Sequence, residues 1–207
     1  MNENIIQGSQ EWIERRLGRV TASRVADVLA TLKTGEAASR RNYRMELVCQ
    51  RLTGQREEGY TNSHMERGIE LEPLARASYE FKTGVTVTEI GFADHPSIEM
   101  SGASPDGLVG LDGLVEIKCP TAANHVETLL SGKAPTKYIA QMQWQMACCA
   151  DTKWCDFVSY CPAVGDNLAL FVVRVERDDE YIAETEKAVQ LFLTEVSDLT
   201  TKLKELK

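Results

Sequence analysis

Two carboxylates and a lysine near the middle of the chain have the types and spacing to do chemistry. In Gly113-Leu-Val-Glu-Ile-Lys-Cys119, Glu116 and Lys118 are two residues apart, so on a strand both side chains leave one face and Ile117 leaves the other. Ten residues before Glu116, the stretch Ser104-Pro-Asp-Gly107 sets Asp106 at a tight turn. A strand pair closed by Gly110-Leu-Asp-Gly113 brings Asp106 back beside Glu116. Two carboxylates so placed can chelate Mg2+ or Mn2+, hard ions that take oxygen ligands, and the backbone carbonyl of Ile117 can add another oxygen. Lys118 beside the ion can position a water or hydroxide and stabilise charge while a phosphodiester is attacked. Taken singly, Pro-Asp-Gly is an ordinary turn and Glu-x-Lys an ordinary surface ion pair. Their combination at this spacing is far more specific.

The elements that must position these residues change period along the chain. The first 60 residues read as helical: a short charged segment at Gln10–Arg16, a helix through Val25, Val28 and Leu29 capped by Thr21 or Ser23, and another over Ala37–Leu52 after a Thr34-Gly35 turn. A helix follows over about 65–82, and Pro73 inside it predicts a helix start or kink beside Glu72. From Gly84 the period becomes two. Strands are predicted through Val85–Phe92, Ile98–Ser101, Leu108–Val109 and Gly113–Lys118 as a meander. Helices at Ala122–Leu130 and Lys137–Ala150 precede two more strands, Trp154–Tyr160 and Leu168–Val175. The last is nearly all apolar and is expected at the centre of the sheet. A long helix from Asp178 carries Val189, Phe192, Val196, Leu199, Leu203 and Leu206 at helical spacing, a stripe expected to pack on the chain's own core.

With 207 residues and a net charge of -8, passive coating of nucleic acid is excluded, because such a protein needs a basic excess. The distribution is uneven: residues 1–60 carry 10 basic against 8 acidic groups, and residues 61–120 carry 4 against 10. A carboxylate-rich middle suits a divalent-cation site, although a solvated acidic face gives the same bias. No apolar run reaches the ~18 residues a membrane span needs, and the first ten residues lack a basic and apolar leader, so a soluble, non-secreted chain is expected.

The pattern Pro-Asp…Glu-x-Lys resembles the PD-(D/E)XK nuclease superfamily. Four segments occur in the order seen in its YqaJ-type viral recombinases, the lambda-exonuclease-like alkaline exonucleases: Gly8–Ser23, Gly68–Ala75, Ser104–Gly107 with Glu116–Pro120, and Ala140–Trp144. The resemblance implies an α/β fold with a restriction-endonuclease-like core, a mixed central sheet flanked by helices, and one domain spanning 1–207. It implies a processive, Mg2+-dependent 5′→3′ exonuclease on double-stranded DNA ends, with two ions per site and Mn2+ as a substitute. Mononucleotides would be released and 3′ overhangs left for recombination.

Carried over position by position, the resemblance makes Asp106, Glu116, Glu72 and the Ile117 carbonyl the metal ligands, and Lys118 the catalytic base or stabiliser. Gln141 would contact the reacting region, and Arg16, Ser23 and Ser104 would form the pocket for the 5′ phosphate. Arginine suits that pocket on its own chemistry, as a permanently charged bidentate donor, and Ser23 lies near a predicted helix start, where free N–H groups favour anions. The implied partners are a homotrimeric ring around DNA and a single-strand-annealing protein, in the cytoplasm of a bacterial host of a phage or prophage.

Other positions stay open. Glu70 is a second acid beside Glu72. A residue that splits the terminal base pair has no motif within 35–64. Arg40, Arg41, Arg44 and Arg51 fit either a DNA-tracking face or a solvated helix face. His64, His95 and His125 have no partner at metal-ligand spacing. Cys148, Cys149, Cys155 and Cys161 match no common zinc spacing and read as free buried thiols, with an iron–sulfur cluster as the other possibility. The alternatives to the exonuclease are an endonuclease or an iron–sulfur single-strand exonuclease of the same superfamily, and an inactive DNA-binding assembly module.

Overall fold

A computed structural model gives the fold over residues 5–56 and 63–206, with the side chains of residues 63–66 left aside. Its centre is a five-stranded sheet in the order β2-β5-β6-β7-β8, formed by β2 (Val87–Thr88), β5 (Gly107–Val109), β6 (Gly113–Lys118), β7 (Trp154–Tyr160) and β8 (Leu170–Glu176). The sheet is mixed: β6 and β7 run parallel, and the other neighbours are antiparallel. A smaller sheet, β1-β4-β3, joins β1 (Val20–Thr21), β4 (Ser101–Ala103) and β3 (Ala93–Asp94). The predicted meander is therefore divided. Only β2, β5 and β6 follow it, and the strand near Ser101 belongs to the smaller sheet.

Alternation along β6 decides which layer each residue meets. Val115 and Ile117 join Ala75, Tyr79, Val109 and Val158 in a cluster beneath α4 (Ser63–Thr83). Leu114 points the other way, into the larger core. That core includes residues of α2 (Val25–Val28), α3 (Ala38–Thr53), α6 (Ile139–Cys148) and α7 (Asp179–Glu205). Glu116 and Lys118 share the Leu114 face by period two, which turns them toward α6. Neither Thr21 nor Ser23 supplies the side-chain cap expected for α2, whose N-cap position is Arg24, but two further helices, α1 (Gln10–Arg16) and α5 (Ala122–Ser131), are capped by side chains. Ser9 accepts from the Trp12 amide at 3.2 Å, and Thr121 accepts from the Asn124 amide at 3.5 Å.

Three expectations change. Pro73 lies inside α4 and does not begin it. Both Pro73 and Ile69, whose carbonyl would lose its helical donor, are on the exposed side, where water can take that bond. The strand β8 is an edge strand; it is apolar on both faces because helices cover both, and the exposed Arg174 interrupts it. Arg40 and Arg44 pair with Glu36 and Glu195, tying α3 to α7, so they form neither a DNA-tracking row nor a free face. The stripe on α7 packs as expected over its first part, with Val189, Phe192 and Val196 buried and Leu199 partly so, but Leu203 and Leu206 are exposed. Among the described residues, no helix is long and apolar enough to cross a membrane.

Candidate active site

The register of one hairpin builds the site. Gly107 pairs with Val115 and Val109 with Gly113, so continuing the ladder sets Asp106 opposite Glu116. Gly107 is required there, because a β-carbon would run into the Val87 side chain. Past the end of β5, the Ile117 amide has no strand partner on that edge and donates instead to Asp106 Oδ2 at 2.6 Å. The N–H and C=O of one residue leave a strand on the same edge, so the Ile117 carbonyl points along the edge that β5 vacates.

Glu116 has no exposed surface, yet both of its oxygens are matched by donors. Gln141 Nε2 donates to Oε1 at 2.6 Å, and the Lys118 ammonium pairs with the same oxygen. Gln145 Nε2 donates to Oε2 at 2.6 Å. The ring of Tyr138 lies 5.3 Å from the Lys118 ammonium. Burial would lower the affinity of Lys118 for its proton, but the charges of Glu116 and Asp106 overcome it and hold the ammonium protonated well past the usual range. Lys118 thus acts as the cation of the site.

Asp106 is pushed well above the carboxylate range, first by burial and then by Glu116 and Glu72, against the pull of Lys118. Glu72 on α4 is raised as well, mainly by burial. Its carboxylate is held by Arg76 at 2.8 Å, and Arg76 also pairs with Glu89. Glu116, Lys118 and Gln141 therefore meet directly, Asp106 is tied to the same strand through the Ile117 amide and lies within their electrostatic reach, and Glu72 is within that reach in a pair of its own. Among the described residues, no three His, Cys, Asp or Glu side chains stand together as a group that could hold a metal ion. The donor set still fits a hard divalent cation: a buried and a half-buried carboxylate that repel one another, a strand-edge carbonyl, and a second oxygen of Asp106 without a hydrogen bond among the described residues.

A second cavity, of about 110 Å³, is lined by Arg16, Arg19, Ser23, Arg24 and Tyr43 among others. Parallel pairing of β1 with β4 carries the N-terminal segment alongside the stretch leading to Ser104. Arg16 donates to Ser104 Oγ at 3.2 Å and lies 4.1 Å from the Trp12 ring, whose Nε1 donates to the same hydroxyl at 2.8 Å. Arg24 is neutralised by Asp27 and Glu46, and Arg19 by Asp94. Arg16 has no carboxylate partner among the described residues, and burial depresses its pKa to about 10. A half-buried guanidinium with no carboxylate partner among the described residues, set in a polar cavity, is suited to an anion. Ser23 lies on the same wall but in a single 3-10 turn, Ala22–Arg24, followed by the four residues of α2, so guanidinium charge and not a long helix dipole sets the potential.

Gln145, Arg76 and Tyr138 are neighbours of the site that the sequence did not single out. Gln145 had a signal: with Gln141 it forms an i, i+4 polar pair, while the helix's third glutamine, Gln143, donates elsewhere, to the Glu176 carbonyl. His125 is a core residue, bonded to Ser159 Oγ at 2.7 Å and the Leu168 carbonyl at 2.8 Å. His95 stacks on Trp144 and faces Glu186 at 3.1 Å. The side chain of His64, and residues 57–62 of the 35–64 stretch, lie outside the described residues. Cys148, Cys149, Cys155 and Cys161 are buried free thiols, whereas Cys49 is exposed.

Residues 11–153 match the model of the YqaJ-like viral recombinase domain. The chain is similar to an alkaline exonuclease, LHK-Exo, from Laribacter hongkongensis, with 54% identity, a TM-score of 0.88 and coverage of 95% of this chain and 96% of that one. A second structure of LHK-Exo, in complex with dAMP, gives a TM-score of 0.89 at the same identity and coverage. A phage-related exonuclease from Haemophilus somnus 129PT shares the fold, with 15% identity, a TM-score of 0.71 and coverage of 89% and 96%. No curated protein matches.

Proposed function

The chain belongs to the YqaJ-like viral recombinase domain family and is an exonuclease-type nuclease with a PD-(D/E)XK fold; from that premise we propose that it is a processive, Mg2+-dependent 5′→3′ exonuclease on double-stranded DNA ends. In this reading residues 1–207 act as one nuclease domain, which releases 5′-mononucleotides and leaves 3′ overhangs for recombination by strand annealing. The observation that carries it is the cluster of Glu116, Lys118 and Gln141 with Asp106 bound to the Ile117 amide of the same strand, together with a cavity whose Arg16 has no carboxylate partner among the described residues. The dAMP held by the LHK-Exo structure is a deoxynucleoside monophosphate, the class of product proposed here.

Asp106, Glu116, Glu72 and the Ile117 carbonyl are the groups that would hold one or two Mg2+ ions. Mg2+ supplies activation of water and stabilisation of charge on the leaving 3′ oxygen. The chain's own residues do the rest. The Lys118 ammonium stabilises negative charge gathering on the attacked phosphate. Gln141 orients Glu116 by its amide bond, and α6 carries that amide on a rigid element. Arg16, Ser23 and Ser104 receive the terminal 5′ phosphate, so each cut presents a new phosphate that draws the strand forward by one nucleotide.

A homotrimeric ring, a single-strand-annealing partner and the cytoplasm of a phage-bearing bacterial host complete the reading. The acidic overall charge supports it, since a ring must slide on DNA without adhering to it elsewhere. The test is a linear duplex and a covalently closed plasmid, each with Mg2+ or EDTA. Loss of the linear DNA alone, and only with Mg2+, is expected; cutting of the closed plasmid would instead indicate an endonuclease. Mass photometry of the chain tests the trimer.

A further inference from the structure

The ladder between β5 and β6 stops one exchange short, and two side chains take the groups it leaves. Val115 and Ile117 face the same edge of β6, and Val115 pairs with Gly107. By the alternation of antiparallel bonds, the next one would run from the Ile117 amide to the Pro105 carbonyl. It does not form. The Ile117 amide donates to Asp106 Oδ2, and the Pro105 carbonyl accepts from Gln7 Nε2 at 2.8 Å. The same nitrogen of Gln7 donates to the Ile90 carbonyl, also at 2.8 Å. Pro105 and Ile90 are buried, and neither carbonyl has another partner among the described residues. Left without Gln7, each would be a buried acceptor in search of a donor, and the nearest one for Pro105 is the Ile117 amide.

The segment that carries Gln7 is itself held in place. Ile5 is buried against Gly91, where a β-carbon would run into the Ile5 carbonyl. Two residues after Gln7, Ser9 caps α1, which brings Trp12 and Arg16 to the Ser104 hydroxyl. Gln7 thus grips the one residue that separates Ser104 from Asp106. We infer that Gln7 is a positioning residue: it keeps the Pro105 carbonyl from capturing the Ile117 amide, and so holds the spacing between Asp106 and Ser104. Released, the ladder would close by one exchange. Asp106 would lose its amide, and Ser104 would be drawn away from Arg16. Gln7 touches neither reacting group, yet one amide governs both ends of the terminal nucleotide. The inference rests on the reading of Asp106 as a cation ligand and of Ser104 with Arg16 as the 5′-phosphate pocket.

The test compares the full chain with Gln7→Met, which keeps the reach of the side chain and removes its donors. Gln7 is exposed, so the change opens no cavity. Selective 15N-isoleucine labelling, with the Ile117 signal identified by its loss in Ile117→Val, reports the bond directly. In Gln7→Met that amide signal should move upfield, because a neutral carbonyl is a weaker acceptor than a carboxylate. The Mg2+ concentration for half-maximal cleavage should rise on the order of 10-fold, and the preference for a 5′-phosphate over a 5′-hydroxyl end should shrink. A loss of stability alone moves neither. If Gln7→Met does not fold by circular dichroism, Gln7→Asn, one methylene too short to reach both carbonyls, should show the same changes. An unmoved Ile117 signal, or an unchanged Mg2+ requirement and end preference in the folded variant, overturns the inference alone. Absence of Mg2+-dependent cleavage by the unaltered chain overturns the nuclease reading, and the inference with it.

Discussion

The backbone amide of Ile117 donates to Asp106 Oδ2 at 2.6 Å, where the ladder between β5 and β6 has ended. One bond satisfies a strand-edge amide and fixes the carboxylate opposite Glu116. Asparagine keeps that acceptor but loses the charge. Asp106→Asn should therefore fold normally and lose at least about 100-fold in Mg2+-dependent cleavage, as measured by release of acid-soluble nucleotide from linear duplex.

Asp106 also makes cation-free stability depend on pH. Its proton affinity is raised in the fold by burial and by neighbouring acids, so the folded chain holds a proton that the unfolded chain has released. The sign follows: this group's contribution is fully present below its unfolded value, near 4, and is lost as pH rises toward the folded value. Each tenfold change in proton affinity is about 1.4 kcal/mol. Without divalent ions, the melting temperature of Asp106→Asn relative to the unaltered chain should rise from pH 5 to pH 9, and Mg2+ should stabilise only the unaltered chain.

In the proposed function, Arg16 governs the choice of DNA end. Its guanidinium reaches Ser104 and no carboxylate among the described residues. Arg16→Met should remove any preference for a 5′-phosphorylated over a 5′-hydroxyl end and raise KM, with cleavage slower but still Mg2+-dependent. Comparing the two ends with both proteins checks this, and equal rates in the unaltered chain would refute the pocket assignment.

Arg40 and Arg44 hold α3 to α7 through Glu195. Glu195→Gln should lower stability by about 1 kcal/mol, since these groups are mostly covered and act as a network. DNA affinity and cleavage should stay unchanged, as urea unfolding and a binding titration would show.

The sequence exposed the site more fully than its supports. Asp106, Glu116 and Lys118 follow from a turn and the period of two, which are local. Gln141 came only from resemblance, because it is one of three glutamines at every second position of α6 and that spacing singles out none of them. Gln145 beside it was visible only as a pair. The contact of Arg16 with Ser104 depends on pairing two-residue β1 with β4 some 80 positions away, and such short strands leave no periodic signal. Strand β8 was misplaced because apolarity on both faces reports coverage by helices, not position in the sheet. Pro73 was misread because its helix turns that side to water. The arginines of α3 found their partner Glu195 on α7, a contact that composition cannot reveal.

The most direct measurement of the central claim is a linear duplex with a 5′ phosphate, labelled at the 5′ end of one sample and the 3′ end of another, incubated with Mg2+ and the unaltered chain or Lys118→Ala. The 5′ label should appear first as a free mononucleotide with the unaltered chain, and Lys118→Ala should still bind the duplex yet release none. Earlier release of the 3′ label, or turnover by Lys118→Ala at the unaltered rate, would contradict the account.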